Sequence, residues 1–288
     1  MRGDRSLYIL FFLGCALTGV LILYPAYYAV QLSFFDADSF ISTPVWVGLE
    51  NYKTVLADSE FWSALIRGII FAGTAICLQI LLGIGFALIL DSAIPGKIIL
   101  RGITVLPYLL PTVVVALIFQ WMLDDHIGIL TVLLENLGFE EAATWANSPF
   151  WSMVLVIFVS VWLWTPFVTV CFLAGLQSVP EEMYEAARVD GANAWQRFWH
   201  ITLPQLRPVL LVVVLLRAIW MFNKFDIVWL LTGGGPMHGT EHLPILAYRK
   251  AFDAFDVGIG ATISTISFLI LTIAILLFFW RFPIDERK

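Results

Sequence analysis

The chain has 288 residues, 60% of them hydrophobic and only 13% charged, with a mean hydropathy of +0.88 and a formal net charge of −6. So small a polar complement cannot cover a soluble domain of this size, and the acidic balance disfavours nucleic acid as a partner. Apolar runs of about 20 residues recur instead, the length a bilayer demands, so the chain reads as an all-α polytopic membrane protein.

Hydropathy gives six spans in chain order, roughly 7–30, 66–90, 103–123, 151–176, 207–231 and 258–280. The first follows Arg2 and Arg5 as a signal peptide would, but it is too long for a signal h-region and has no convincing small-residue cleavage site. It is therefore expected to be a retained helix. An even number of spans puts both termini on one side. That side carries Arg2, Arg5, Lys97, Arg101, Arg188, Arg197, Arg207, Arg281, Arg287 and Lys288, against Lys53, Arg67, Arg249 and Lys250 on the other. Arg and Lys favour the cytoplasmic face, so both termini are expected there. The outer loops are acid-rich, with Asp125, Glu140 and Glu141 among their acids. The longest extramembrane pieces are about 30 residues, too small for a catalytic domain, so residues 1–288 read as one membrane domain. Cys15, Cys77 and Cys171 lie inside apolar runs and read as small buried hydrophobes rather than disulfide partners or metal ligands. Prolines are expected to interrupt span three at Pro107 and Pro111, and span four at Pro166.

Between spans four and five lies a polar stretch, residues 178–206, that includes EAARVDGANAWQRFWHITLP from Glu185 to Pro204. Ser178 and Glu181 have capping-box spacing and Pro180 falls in the first turn, so a helix is predicted to start there and stop at Asp190-Gly191. Asn193 can cap a second short helix with Trp195, Phe198 and Trp199 on one face, ending at Pro204. Two short helices then meet at a glycine elbow. Such an element can lie flat in the lipid interface or dock in a groove on a cytoplasmic partner. Glu181, Glu182, Glu185 and Asp190 against Arg188 would be repelled by an anionic leaflet, and Ala186 and Ala187 permit close approach, which favours docking.

The same stretch resembles the EAA motif of ABC importer permeases: Glu185-Ala186-Ala187, three residues, Gly191, nine residues, then Ile201-Thr202-Leu203-Pro204. The resemblance implies a coupling element in a cleft of the ATP-binding subunit, with Glu185, Ala186, Ala187, Asp190 and Gly191 at the contact. Two further stretches, VGLENY (Val47 to Tyr52) and FNKFDIVWLLTGGGP (Phe222 to Pro236), are similar to carbohydrate-importer permeases of the maltose, trehalose and glycerol-phosphate type. Residues Gly233, Gly234, Gly235 and Pro236 of the latter fall in an outer loop. The resemblance covers most of the chain. It implies a prokaryotic cytoplasmic membrane, a second homologous permease, two ATP-binding subunits, an extracytoplasmic sugar-binding protein and surrounding lipid, with ATP and magnesium on the ATPase and no cofactor on this chain.

Chemistry within the chain is sparse. A phosphate-binding loop needs G-x-x-x-x-G-K-[ST], but Gly96-Lys97 is followed by Ile98 and position 91 is aspartate, so ATP hydrolysis belongs to another chain. His238 and His242 are spaced as a helical metal pair, yet HGTEH is glycine-rich and reads as a solvated loop, with no metal site. In span five, Arg217, Asn223, Lys224 and Asp226 interrupt an apolar run, and Arg217, Trp220, Met221 and Lys224 share a face by helical spacing. A charge in mid-bilayer costs about 2.5–3.5 kcal/mol even on the gentlest scale. These groups read either as scaffold, with Arg217 and Lys224 paired to acids or helix C-termini of neighbouring helices, or as a wet, substrate-facing wall. Aromatic faces beside hydrogen-bonding groups suit a sugar, which puts Arg217, Trp220, Asn223, Lys224 and Asp226 on the substrate path; Gln79, Gln120 and Thr165 are weaker candidates that read as interhelical ties. The alternative, a self-sufficient ion-coupled transporter or channel, needs intramembrane acids, and Asp226 alone lies well inside the later spans, near an edge.

Overall fold

The computed structural model describes residues 3–38, 43–92, 95–124, 127–139 and 145–282; Arg2, Asp125, Glu140, Glu141, Arg287 and Lys288 lie outside the described residues. The helices are α1 (Gly3–Leu32), α2 (Glu50–Ala57), α3 (Ser59–Asp91), α4 (Lys97–Val105), α5 (Thr112–Met122), α6 (Ile129–Asn136), α7 (Pro149–Gln177), α8 (Glu181–Val189), α9 (Ala194–Phe222), α10 (Asp226–Thr232), α11 (Leu243–Tyr248) and α12 (Val257–Arg281). Strand among the described residues is one antiparallel pairing of β1 (Phe35–Asp36) with β2 (Val45–Trp46). Five helices, α1, α3, α7, α9 and α12, are long and apolar enough to cross a membrane. Residues Lys97–Leu109 and Thr112–Met122 form a pair bent by 92°, a sixth span if the pair is taken as one.

The bend falls where Pro107 and Pro111 deny the helix its donors. The expected interruption at Pro166 is not found: α7 runs through it. On either side of the proline the Thr165 hydroxyl donates to Val161 O (2.6 Å) and that of Thr169 to Thr165 O (3.1 Å). The cysteines also differ from expectation. Cys15 and Cys77 are exposed and Cys171 half-buried.

The chain forms two compact units, Met1–Leu65 with Leu243–Thr272 and Ile66–His242 with Ile273–Lys288. In the first, Asn51 is the organising side chain. Its Nδ2 donates to Ser33 O (3.1 Å) and Phe35 O (2.9 Å), just past the end of α1. Ser33 O also accepts from the Thr262 hydroxyl (3.1 Å), and Val257 N donates to Ala37 O (2.9 Å). Gly258 sits so close below that a Cβ would strike the Phe35 carbonyl. The Asn51 amide thus satisfies carbonyls released where α1 stops.

In the second unit α7 is central. Its apolar window is 67% buried, against 28% for α3 and 22% for α9. Small residues let the helices approach: a Cβ on Gly83 would lie 2.6 Å from Val168 Cγ1, and one on Gly175 2.8 Å from Leu206 Cδ2. Ala87, Val168, Phe172, Leu176, Leu206 and Val213 form the core at these crossings.

Candidate functional site

The polar stretch after α7 folds as an elbow. Pro180 is the N-cap of α8, and the predicted Ser178–Glu181 capping box does not form, because the Ser178 hydroxyl turns back to Gly175 O (2.7 Å) at the end of α7. The stop is as predicted. Asp190 N donates to Ala186 O (3.0 Å), Ala192 N to Ala187 O (2.8 Å), and Gly191 takes φ +79°, a conformation cheap only for glycine. Glu181 and Glu185 each lie 3.9 Å from Arg188 and stay exposed. Asn193 caps α9 as expected, in a reciprocal box with Gln196 whose two bonds are both 2.9 Å. Trp195, Phe198 and Trp199 form one aromatic face, with ring centroids 5.4–6.2 Å apart. Between the arms lies a concavity of about 320 Å³ bordered by Ala187, Asp190, Gly191, Arg197, His200 and Ile201.

One prediction about the elbow is overturned. The second helix does not end at Pro204. It continues as α9 to Phe222, with Phe198–Thr202 as a π-helical turn just before the proline. In that wider turn Leu203 N donates to Phe198 O, and the chain enters the proline without leaving the helix. The elbow's second arm is therefore the start of a membrane-crossing helix. Arg217, 23 residues beyond Ala194, stands about 35 Å along the same rod.

The predicted single helix over 207–231 is also corrected. It breaks after Phe222 and resumes at Asp226 as α10. Lys224 lies in the gap, off the helical face that spacing assigned to it, yet the break returns it to the same place. A pocket of about 190 Å³ is lined by Tyr108, Trp164, Arg217, Trp220, Met221 and Lys224. Arg217 is 2% exposed; its Nε donates to Gln79 Oε1 (2.8 Å) and an Nη to Met221 Sδ (3.0 Å). Its guanidinium lies 5.7 Å from the Trp164 ring and 5.8 Å from that of Trp220. Lys224 Nζ stands 4.1 Å from the Trp164 centroid and 3.0 Å from Asp226 Oδ1. Arg217 makes no ion pair among the described residues, so the scaffold reading by acid pairing does not apply to it. Asn223 and Asp226 do not line the pocket: Asn223 Nδ2 turns back to Ile219 O (3.2 Å) and Asp226 opens α10. Gln120 and Gln79 act as ties, the first donating to Leu230 O (2.7 Å) and the second to Ser160 O (3.2 Å).

Sequence spacing missed Tyr108 and Trp164. Each stands within two residues of a proline, Pro107 and Pro166, and aromatics beside proline in an apolar span were the available signal. Beyond the pocket, α10 closes on Gly233 (φ +57°), and the Thr232 and Thr240 hydroxyls lie 2.6 Å apart across the Gly233–Pro236 turn. The loop that follows is solvated only in part. His238 is exposed as predicted, whereas Glu241 and His242 are buried: Arg67 Nε donates to Glu241 O (2.7 Å), and His242 Nε2 lies 2.8 Å from Lys224 O.

Residues 79–283 match the family described as binding-protein-dependent transport system inner membrane component. The trehalose/maltose transport system permease protein MalF of Thermococcus litoralis is 37% identical over 252 residues, 88% of this chain and 85% of that one. The diacetylchitobiose uptake system permease protein DasB of Streptomyces coelicolor is 33% identical, over 93% of this chain and 84% of its own. The fold is shared with a crystal structure of a bacterial ABC transporter involved in the import of the acidic polysaccharide alginate, at a TM-score of 0.82 and 20% identity, covering 99% of this chain and 98% of that one. With these matches the chain belongs to the binding-protein-dependent transport inner-membrane components, and it is a multi-pass permease subunit of an importer rather than an enzyme.

Proposed function

We propose that the chain forms half of the translocation path of an ATP-driven importer for a sugar or related polyol, as a single six-span domain over residues 1–288. In this reading α4 to α5 is one broken span, and both termini and the elbow are cytoplasmic. The elbow docks on an ATPase through Glu185, Ala186, Ala187, Asp190 and Gly191. A second, homologous permease completes the path, two ATP-binding subunits carry ATP and magnesium, and an extracytoplasmic sugar-binding protein delivers the cargo past Gly233–Pro236. The cargo class rests on the relatives named for trehalose, maltose and diacetylchitobiose and on the pocket's chemistry. Trp164, Trp220 and Tyr108 offer faces for sugar C–H groups, while Arg217 and Lys224 offer donors for hydroxyls.

The observation that carries the reading is the unbroken helix α9, which joins the elbow to Arg217 and Trp220. A tilt of the elbow on ATPase closure would move the pocket wall as one body. The test is affinity purification of the tagged chain from its own cells. A P-loop ATPase and a second permease should copurify, and neither would if the chain worked alone. A cysteine at the exposed Glu182 should resist an impermeant thiol reagent in intact cells and react in inverted vesicles; labelling in intact cells would overturn the orientation.

A further inference from the structure

The pocket cation Lys224 sits just past the end of α9, to which its backbone N–H still reaches, 3.3 Å from Met221 O. It occupies the gap between α9 and α10, where continuous helical hydrogen bonding is interrupted. From outside the two helices, the side chain of His242 reaches this gap. His242 is 1% exposed, and its Nε2 stands 2.8 Å from the Lys224 carbonyl. A carbonyl only accepts, so Nε2 carries the proton and donates. The ring is then the neutral tautomer protonated at Nε2, and Nδ1 is buried. Burial pushes the His242 pKa down to about 4, in keeping with a neutral ring.

His242 is itself braced by the outer half of α3. Its ring lies 5.7 Å from that of Phe71, and its Cβ packs over Gly68. One residue earlier, Arg67 Nε donates to Glu241 O (2.7 Å). The contacts run in series: α3 fixes the loop at 241–242, the loop fixes the Lys224 backbone, and Lys224 presents its ammonium between Asp226 and the Trp164 ring.

We propose that His242 is a positioning residue for the pocket: its Nε2–H fixes the Lys224 carbonyl at the break in span five and so holds the Lys224 ammonium against Trp164. The inference deepens the pocket reading above, since a fixed cation matters to cargo only if cargo enters there. A polar imidazole is a costly way to fill a buried space. A residue serving only to fill the cavity would be apolar, and the donated hydrogen bond is what His242 supplies beyond volume.

The experiment reads Lys224 directly. The intact complex, with its partner subunits, is trace-labelled with acetic anhydride and the acetylation of each lysine is measured by mass spectrometry. Lys53, exposed and paired only with Glu50 on its own helix, is the internal reference. His242→Phe keeps an aromatic ring but loses the donor, and Lys224 should then acetylate roughly five- to tenfold faster relative to Lys53, the scale of one lost hydrogen bond. His242→Gln places an amide N–H near the Nε2 position and should restore the wild-type ratio, whereas His242→Asn is too short to reach and should resemble Phe. If the Phe variant fails to assemble, the Gln and Asn pair decides alone. Equal Lys224 ratios in all variants, or equal rises in Gln and Asn, would overturn the proposal. The pocket reading is tested separately by uptake in a Lys224→Met complex. Normal uptake there removes the pocket's role, while the labelling ratios still report whether His242 holds the lysine.

Discussion

Arg217 gives the sharpest test of the pocket because its two readings predict opposite outcomes for assembly. Its burial in mid-span costs about 2.5–3.5 kcal/mol on the gentlest scale. Against that stand one charge-assisted bond to Gln79, about 1.5–3 kcal/mol, and two cation–π contacts of about 0.5–1 kcal/mol each. The terms nearly cancel. Arg217→Met removes all of them together, so what remains is Gln79 Oε1 without its donor, a loss of about 1–3 kcal/mol. The complex should therefore still assemble, with at most a modest fall in yield. If a guanidinium N–H donates to a cargo hydroxyl, losing that bond should raise the uptake KM by one to two orders of magnitude, the equivalent of about 1.5–3 kcal/mol. Gln79→Leu is the converse: the guanidinium stays and loses its acceptor, which should cost about 3 kcal/mol or more and lower the yield. The assay pairs complex yield by size-exclusion chromatography with initial uptake rates in proteoliposomes. Failed assembly of Arg217→Met with tolerated Gln79→Leu would refute the balance drawn here, and normal uptake by Arg217→Met would refute the pocket.

Three further outcomes follow. Glu185→Lys reverses an exposed charge on the elbow, and Gly191→Trp forces a bulky residue into a φ of +79° at about 1–2 kcal/mol; both complexes should assemble but lose the stimulation of ATP hydrolysis by loaded binding protein, measured as phosphate release. Gly175→Val would push a side chain into Leu206 and Val209 and should destabilise the complex by about 1–3 kcal/mol in thermal unfolding, whereas Gly73→Ala, with open space around its Cβ, should be neutral. His242 has its folded pKa lowered to about 4 by burial, chiefly, with the Arg67 charge adding to the effect. Since the unfolded ring binds its proton near pH 6.5, stability is intact above that pH and is lost as pH falls towards 4, by up to about 3 kcal/mol. His242→Gln should flatten the melting temperature across that window, and an unchanged slope would exclude His242 as its source.

What was legible in the sequence follows from which interactions are local. The stop at Asp190-Gly191, the Asn193 cap and the aromatic face of Trp195, Phe198 and Trp199 are set within four residues of chain, and all three appear. Pro107 and Pro111 announced the bend in span three for the same reason. Proline misled at Pro166 and Pro204, because whether a lost donor breaks a helix depends on its surroundings: Pro166 is buried within α7, whose apolar window is 67% buried, and Pro204 follows a π-helical turn. Span five read as continuous because hydropathy does not register a three-residue gap. Long-range partners were least visible. Gln79 accepting from Arg217, 138 positions away, and His242 reaching back to Lys224 have no spacing signature. Asn51 stood inside a recognised motif, but its hold on the chain after α1 becomes apparent only in three dimensions.

The most direct measurement is cargo accumulation by the purified complex in proteoliposomes, with trehalose, maltose and diacetylchitobiose as the panel, binding protein on the outside and ATP sealed within. The account predicts accumulation of at least one such sugar that needs both ATP and the binding protein and is indifferent to proton or sodium gradients. Accumulation driven by an ion gradient without ATP would contradict it.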